Sequence, residues 1–159
     1  MMSFSYKKSG LILFSVLLLA WTLYLNSSYY ILRAAIVEND RILFRIIVRE
    51  NEVFALNYQH SISKTIVEET YRIAGNNKIE YDEFKYSAVD SGLPLGDEYI
   101  FRIEEDGTMV IKGKKMSFKE IDNVRIATNH PHYFIYNNYE YNLYETAPGK
   151  TLKIRVSKF

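Results

Sequence analysis

The stretch from Arg41 to Tyr58 reads RILFRIIVRENEVFALNY. Its first part, Arg41–Arg49, is rich in β-branched and apolar residues, and Glu52–Tyr58 continues in the same way after Glu50-Asn51. β-Branched and aromatic side chains suit an extended, half-buried backbone. We therefore predict two strands joined by a tight turn at Glu50-Asn51, and a domain built from strands.

The rest of the chain continues this pattern. Gly75-Asn76-Asn77 and Glu105-Asp106-Gly107 are typical of hairpin turns, because Gly and Asn adopt the positive φ angles that such turns require. About ten short strands at roughly 8–12-residue spacing predict an all-β sandwich or barrel. A single helical turn is expected within Lys115–Asp122. The further predicted strands are Thr65–Ile73, Lys78–Tyr86, Glu98–Glu104, Thr108–Lys112, Asp122–Thr128, Tyr133–Tyr136, Glu140–Tyr144 and Leu152–Val156.

The N-terminal segment is of a different kind. Gly10 to Leu25 reads GLILFSVLLLAWTLYL, which carries no charge and directly follows Lys7-Lys8. A helix that spans a membrane needs about 20 residues, so polar flanks on both sides would have to complete this one. Trp21 and Tyr24 suit the lipid headgroup layer, and the two lysines should remain cytoplasmic.

These features predict either a retained membrane anchor or a cleaved signal peptide. No small-residue cleavage site of the A-x-A kind fits after Leu25, which favours the anchor. We expect residues 1–35 to form the anchor and a short linker. Residues 36–159 are then expected to form a single β domain on the extracytoplasmic side of the cytoplasmic membrane, with the N-terminus inside.

Composition excludes several classes of protein. The chain has 159 residues and a net charge of +1; residues 1–35 carry +3, which leaves −2 for the other 124. A near-neutral domain lacks the basic face that nucleic-acid binding needs. The absence of cysteine excludes disulfides and thiolate metal sites. No cofactor motif is present, and we expect no cofactor.

Histidines are the first candidates for chemistry. His130-Pro131-His132 offers two ring nitrogens without a third ligand nearby in sequence, so a turn before a strand is favoured over a metal site. His60 and Ser61 are neighbours, and neighbouring strand side chains point to opposite faces, which opposes a shared proton. We therefore predict a ligand or partner contact, or a local hydrogen bond at the strand end, for these two residues.

Two further stretches stand out. Glu68 and Glu69 are consecutive within a strand, so one should face inward and require a partner, for which His60 is a candidate; the alternative is two solvated carboxylates on an edge strand. Ser91–Gly96 reads SGLPLG, in which glycines and a proline specify a defined loop. Such a loop either serves the fold alone or presents backbone amides to a ligand or partner.

Together these motifs resemble a small bacterial family, domain-of-unknown-function family 1850 (DUF1850). In that family an HSV-type motif precedes a glutamate and then a GAGLP-type loop. The resemblance spans roughly Phe44 to Val156, and this chain departs from it where Asp90-Ser91-Gly92 replaces Gly-Ala-Gly. The matching residues are Tyr58, His60, Ser61, Ile62, Glu68, Tyr71, Gly92, Leu93, Pro94, the Pro148-Gly149 turn and the strand Leu152–Val156.

The resemblance implies association with tripartite ATP-independent periplasmic (TRAP) transporters of the TAXI subclass. It marks six positions for ligand or partner binding and implies no catalytic residue: His60, Ser61, Glu68, Gly92, Leu93 and Pro94. The leading expectation is a non-enzymatic accessory protein that contacts a transporter permease or its solute-binding protein. The alternatives are a small-molecule binding module and, least favoured, a hydrolase that uses His60 with Ser61 or Glu68.

Overall fold

A computed structural model describes residues 4–61, 64–87, 99–113 and 116–158 of the chain. One long helix is followed by strands and one short helix. In chain order the elements are α1 (Phe4–Ser28), β1 (Tyr29–Ile36), β2 (Ile42–Arg49), β3 (Val53–Gln59), β4 (Ile66–Ala74), β5 (Lys78–Tyr86), β6 (Tyr99–Ile103), β7 (Met109–Gly113), β8 (Ser117–Phe118), β9 (Glu120–Arg125), β10 (His132–Tyr136), β11 (Tyr139–Asn142), α2 (Leu143–Thr146) and β12 (Thr151–Lys158).

These strands form two antiparallel sheets. Sheet A has the order β2-β1-β12-β9, and sheet B has the order β11-β10-β3-β4-β5-β7-β6 with β8 beside β5. The described part of the chain is therefore a β-sandwich-like domain with twelve strands, preceded by a helix. The predicted all-β class is confirmed. Of the two predicted architectures, sandwich and barrel, the structure is sandwich-like.

The strands predicted from Arg41–Tyr58 are confirmed as β2 and β3. Asn51 has a φ of 69°, the left-handed conformation that the tight turn needs. The two strands lie in different sheets, so this turn carries the chain from sheet A to sheet B. The Glu52 carboxylate closes the turn by accepting a 2.8 Å hydrogen bond from the Arg49 amide.

Both predicted hairpins are also confirmed. Asn76 and Asn77 have φ angles of 62° and 58° in the turn between β4 and β5, where Ala74 pairs with Lys78. Gly107 has a φ of 85° between β6 and β7, where Ile103 pairs with Met109. Turn chemistry that is local in sequence therefore sets the register of these strand pairs.

Three elements differ from the sequence predictions. Residues 29–35, assigned to the anchor and linker, form β1 together with Ile36, and this strand lies inside sheet A between β2 and β12. The strand predicted over Glu140–Tyr144 ends at Asn142, whose side chain caps α2 by accepting a bond from the Glu145 amide at 3.1 Å. The single helical turn expected within Lys115–Asp122 is wrong, because the described residues there form β8 and the start of β9.

The main core lies between the sheets. Leu32 and Ile154 from sheet A and Phe134 from sheet B are 0% exposed. The Phe134 ring packs against Phe44 at 4.5 Å and against Phe54 at 5.4 Å between centroids. A second hydrophobic cluster is formed by residues of β4, β5 and β7 in sheet B, namely Val67, Tyr86, Met109 and Ile111. The candidate site lies where these two clusters meet.

The helix α1 presents apolar side chains on all sides. The side chains of residues 9–22 and of Tyr24 are all exposed, among them Leu11, Leu17 and Trp21. Neither helix within the described residues is long and apolar enough to span a membrane.

Candidate functional site

A cleft of about 390 Å³ opens between the two sheets. Its walls come from β3, β4, β8 and β10 of sheet B and from β9 at the edge of sheet A. We call it the tyrosine cleft. Its lining residues are Leu56, Tyr58, Glu69, Tyr71, Phe118, Glu120, Ile121, Asp122, Asn123, Val124, Arg125 and His132.

The centre of the tyrosine cleft is a carboxylate held by two phenols. The Tyr58 hydroxyl donates to Glu69 Oε1 at 2.8 Å, and the Tyr71 hydroxyl donates to Glu69 Oε2 at 2.7 Å. Burial and the negative charge of Glu69 raise the pKa of both phenols well above the usual range. Both tyrosines therefore stay protonated and act as fixed donors to the carboxylate.

Strand alternation places these groups together. Glu69 lies on the same face of β4 as Val67, Tyr71 and Ile73, which are buried. On β3 the inward positions include Tyr58, which lies next to Glu69 on the diagonal because its direct partner is Val67. An acid within an otherwise apolar face is costly unless donors reach it, and the two hydroxyls meet that need.

His132 forms a further wall of the tyrosine cleft. It is 4% exposed, it pairs with Tyr58 across β3 and β10, and the two rings lie 5.2 Å apart. Its Nε2 atom is buried and has no hydrogen-bond partner among the described residues. Burial lowers the pKa of His132 to about 4, so its imidazole is neutral at physiological pH. A buried ring nitrogen without a partner is a group that a ligand would satisfy.

The wall formed by β9 combines apolar and charged side chains. Ile121 and Val124 supply apolar contacts, whereas Asp122 and Arg125 are exposed charged residues near the opening. Small-molecule sites typically have apolar walls and a few polar groups that fix the orientation of the ligand. The arrangement is therefore able to bind a small polar molecule whose donor groups meet Glu69 and His132.

A second cavity, of about 710 Å³, adjoins the first and shares Tyr58, Arg125 and His132 with it. His60 and Ser61 line this cavity, so the structure brings these two predicted site residues to one place. The loop that carries them is closed by the bond from the His60 amide to the Thr65 carbonyl at 2.9 Å.

His130 also lines the second cavity. Its Nε2 atom lies 3.1 Å from Lys64 Nζ. The cavity therefore has a more basic character than the tyrosine cleft.

Glu68 lies on the opposite face of β4 from Glu69. Its carboxylate is 3.6 Å from the Lys85 ammonium, which also lies 3.0 Å from Glu83. Glu68 lines neither cavity. The prediction that one glutamate of the pair faces inward is confirmed, and that residue is Glu69. Its donors are Tyr58 and Tyr71, whereas the sequence had offered His60 as the candidate partner.

A family model identifies the family to which the chain belongs. The family model described as a domain of unknown function (DUF1850) matches residues 54–143, more than half of the chain. The chain belongs to the DUF1850 family. No curated protein and no solved structure matches it.

The segment that matches DUF1850 runs from β3 to the start of α2 and contains every lining residue of the tyrosine cleft. It leaves out β1, β2 and β12, the strands that complete sheet A. The family resemblance seen in the sequence is therefore confirmed, over a narrower range than Phe44 to Val156.

Part of the predicted DUF1850 motif lies outside the described residues. Gly92, Leu93 and Pro94, with the rest of residues 88–98, lie outside the described residues. His130 and His132 are described, and both line the second cavity, whereas only His132 also lines the tyrosine cleft. Among the described residues no group of three or more His, Asp or Glu side chains is placed to hold a metal ion.

Sequence reasoning missed Tyr58, Glu69, Tyr71 and His132 as a site in this DUF1850 protein. A signal was present for Glu69 and Tyr71. Glu69 has the same parity as Val67, Tyr71 and Ile73, so period-2 alternation alone assigns it to the buried face. The motif drew attention to Glu68 instead, which the structure places in an ion pair on the outer face.

Proposed function

We propose that this DUF1850 protein is a non-enzymatic binding module whose tyrosine cleft takes a small polar ligand. The observation that carries the proposal is the Glu69 carboxylate, which Tyr58 and Tyr71 hold in the cleft. His132 lines the same cleft, and its buried Nε2 has no hydrogen-bond partner among the described residues. The cleft volume of about 390 Å³ falls in the usual range for small-molecule sites, roughly 300–1,000 Å³.

The groups in the cleft favour particular ligands. A carboxylate whose oxygens each accept one phenol hydrogen bond retains lone pairs for an ammonium or hydroxyl donor. His132, neutral because of its burial, is able to accept or donate one more hydrogen bond. Ligands with ammonium or hydroxyl groups, such as amino acids and sugars, therefore suit the cleft better than ligands that offer only acceptors.

Binding is favoured over catalysis by the same contacts. A general base works best with a pKa near the operating pH and free reach to a substrate proton. The pKa of His132 is lowered to about 4, and both Glu69 oxygens already accept hydrogen bonds. Fixed donors around a fixed acceptor make a site that recognises a ligand.

The proposal is tested by thermal denaturation of the full-length chain, purified in detergent, against amino acids, sugars and dicarboxylates. A ligand present at about 100 times its Kd stabilises the folded state by about 2.7 kcal/mol, which is easily detected. We expect a shift from at least one compound with ammonium or hydroxyl groups. A panel in which no compound shifts the transition contradicts the proposal.

A second function is favoured by membership of the DUF1850 family and by the N-terminal helix. We propose that α1 anchors the domain at the outer face of a bacterial cytoplasmic membrane, where it contacts a TAXI-type TRAP permease or its solute-binding protein. A helix that is apolar on all sides is typical of burial in lipid or in a protein core, and the α1 side chains from Leu11 to Trp21 are exposed.

This second proposal is tested by affinity purification of the tagged full-length chain from membranes of its native host. Recovery of a transporter subunit in stoichiometric amount supports it. A chain found in the soluble fraction, or one recovered from membranes as a single species without a transporter subunit, contradicts it.

A further inference from the structure

Three arginines stand side by side on the outer face of sheet A. Arg33 on β1 pairs in register with Arg45 on β2 and with Arg155 on β12. Side chains paired in register lie on the same face of a sheet, and adjacent strands are about 4.8 Å apart. The three guanidinium groups therefore originate within about 10 Å of one another. We call Arg45, Arg33 and Arg155 the arginine row.

Like charges at directly opposed positions are unfavourable, so the arginine row needs counter-charge. Arg33 has one in Asp40, at 2.8 Å, but Lys153 shares this carboxylate at 2.7 Å. The buried Nε atom of Arg33 has no hydrogen-bond partner among the described residues.

The two outer members of the arginine row are less well compensated. Arg45 and Arg155 are exposed, and among the described residues no carboxylate lies within ion-pair distance of either. Glu120 faces Arg155 in register without forming an ion pair with it. Within the described part of the chain the positive charge of the row therefore exceeds the acidic charge beside it.

The arginine row lines a groove of about 720 Å³. Of its nine lining residues four are cationic, and none among the described residues is acidic. The guanidinium group is planar and binds phosphate oxygens through two parallel hydrogen bonds. The groove thus has the charge and the donor geometry for a phosphate-bearing anion. Its lining residues are Ile31, Arg33, Arg45, Asn76, Asn77, Lys119, Arg155, Val156 and Ser157.

The position of the row relative to α1 indicates where such phosphates would come from. Tyr29 is the first residue of β1 and directly follows α1, and the Arg49 guanidinium lies 5.0 Å from the centre of its ring. The same face of β1 continues with Ile31 and then Arg33. Arg33 lies four residue steps along the strand from Tyr29, a distance of about 13 Å. This is close to the screening length of about 10 Å in 0.1 M salt, so charges at a membrane surface still act on the row.

We propose that the arginine row binds anionic phospholipid headgroups and holds the outer face of sheet A against the membrane. This proposal rests on the proposed membrane location of α1 and adds an orientation to it. The tyrosine cleft lies on the other side of sheet A, between the two sheets, so docking by this face leaves the cleft accessible to a ligand.

The composition of the chain makes the test specific. It has one tryptophan, Trp21 in α1, and no cysteine. Trp21 fluorescence therefore reports insertion of α1. A fluorescent label on a cysteine introduced by Ile47→Cys reports the surroundings of the outer face of sheet A, because Ile47 is 57% exposed there and pairs with Ile31. An Ile66→Cys label on the outer face of sheet B, where Ile66 is 54% exposed, is the matched control.

The full-length chain is reconstituted in nanodiscs of phosphatidylcholine with increasing phosphatidylglycerol, and the label is quenched with neutral acrylamide. We expect phosphatidylglycerol to protect the Ile47→Cys label and not the Ile66→Cys label. Each lost arginine, in Arg45→Gln or Arg155→Gln, should raise the phosphatidylglycerol content for half-maximal protection about fivefold. Arg102→Gln and Lys112→Gln, which remove the same charge from sheet B, should leave it unchanged.

Several results would overturn the proposal. Equal protection with and without phosphatidylglycerol, or protection that survives Arg45→Gln with Arg155→Gln, contradicts it. Stabilisation by inorganic phosphate without lipid-dependent protection assigns the groove to a free phosphate instead and refutes the lipid assignment. Trp21 fluorescence separates these outcomes from failure of α1 to insert, which contradicts the membrane location itself.

Discussion

Glu68 and Glu69 are consecutive on β4 and lie on opposite faces of sheet B. Glu69 accepts hydrogen bonds from Tyr58 and Tyr71 in the tyrosine cleft, whereas Glu68 lies 3.6 Å from the Lys85 ammonium on the outer face. The two residues are chemically identical and differ only in strand parity. They provide a matched pair in which one carboxylate belongs to the proposed site and the other does not.

The Tyr71 hydroxyl should contribute to stability as well as to binding. Tyr71 is 6% exposed, and Tyr71→Phe leaves the half-buried Glu69 carboxylate with one donor fewer. Loss of a hydrogen bond to a charged group costs about 1.5–3 kcal/mol, so we expect the free energy of unfolding to fall by about 2 kcal/mol. Chemical denaturation measures it, and Tyr139→Phe at an exposed site is the control. Equal effects from the two substitutions contradict the assigned contact.

His132 should make folding sensitive to acid. Its pKa is about 4 in the folded protein and about 6.5 when unfolded, so the unfolded state binds the proton first as the pH falls. The stabilisation is present above pH 6.5 and is lost as the pH falls toward 4. The full loss is about 3 kcal/mol.

The variant His132→Gln isolates this contribution, because glutamine does not titrate. Unfolding free energies measured between pH 7 and 4 should fall more steeply in the natural chain than in the variant, by about 3 kcal/mol over the whole range. Parallel pH profiles for the two proteins mean that His132 is charged, or exposed, in the folded state.

The boundary between α1 and the domain predicts a difference between two truncations. Leu32 and Ala34 on β1 are 0% exposed, and β1 pairs with both β2 and β12. A chain that starts at residue 29 keeps this strand and should unfold cooperatively. A chain that starts at residue 36 loses it and should not fold stably. Circular dichroism with thermal denaturation distinguishes them, and similar transitions for both are incompatible with an essential β1.

Gly149 should tolerate alanine poorly, for two separable reasons. Its φ is 68°, which costs an L-residue about 1–2 kcal/mol. A Cβ at this position would also lie 2.9 Å from the Thr128 Cγ2 methyl. We expect Gly149→Ala to be less destabilising in a Thr128→Ser background, where this methyl is absent, although the backbone cost remains. An equal cost in both backgrounds excludes the steric contribution.

The sequence predicted the local structure of the domain well because that structure depends on local chemistry. Turn residues such as Asn51, Asn76 and Gly107 adopt positive φ where the predicted turns lie. The division of strands between two sheets was not predicted. It depends on pairings such as that of β1 with β12, which join residues far apart in sequence. Local patterns carry no information about such partners.

The strand β1 was not predicted from the sequence for a different reason. Tyr29–Ile36 reads YYILRAAI and follows the apolar run of α1 after only three polar residues, 26–28, so composition alone favours assigning it to the segment that flanks the helix. The candidate site was predictable in part. Strand parity assigns Glu69 to the buried face, but only the register of β3 against β4 brings the Tyr58 hydroxyl to it.

The proposed ligand site is tested most directly by titrating the best stabilising compound from the thermal panel into the natural chain, Glu69→Gln and Glu68→Gln by isothermal calorimetry. We predict that Glu69→Gln weakens binding at least tenfold, about 1.4 kcal/mol or more, while Glu68→Gln leaves it unchanged. Binding that is unaffected by Glu69→Gln, or that is weakened equally by both substitutions, contradicts a ligand site built on Glu69.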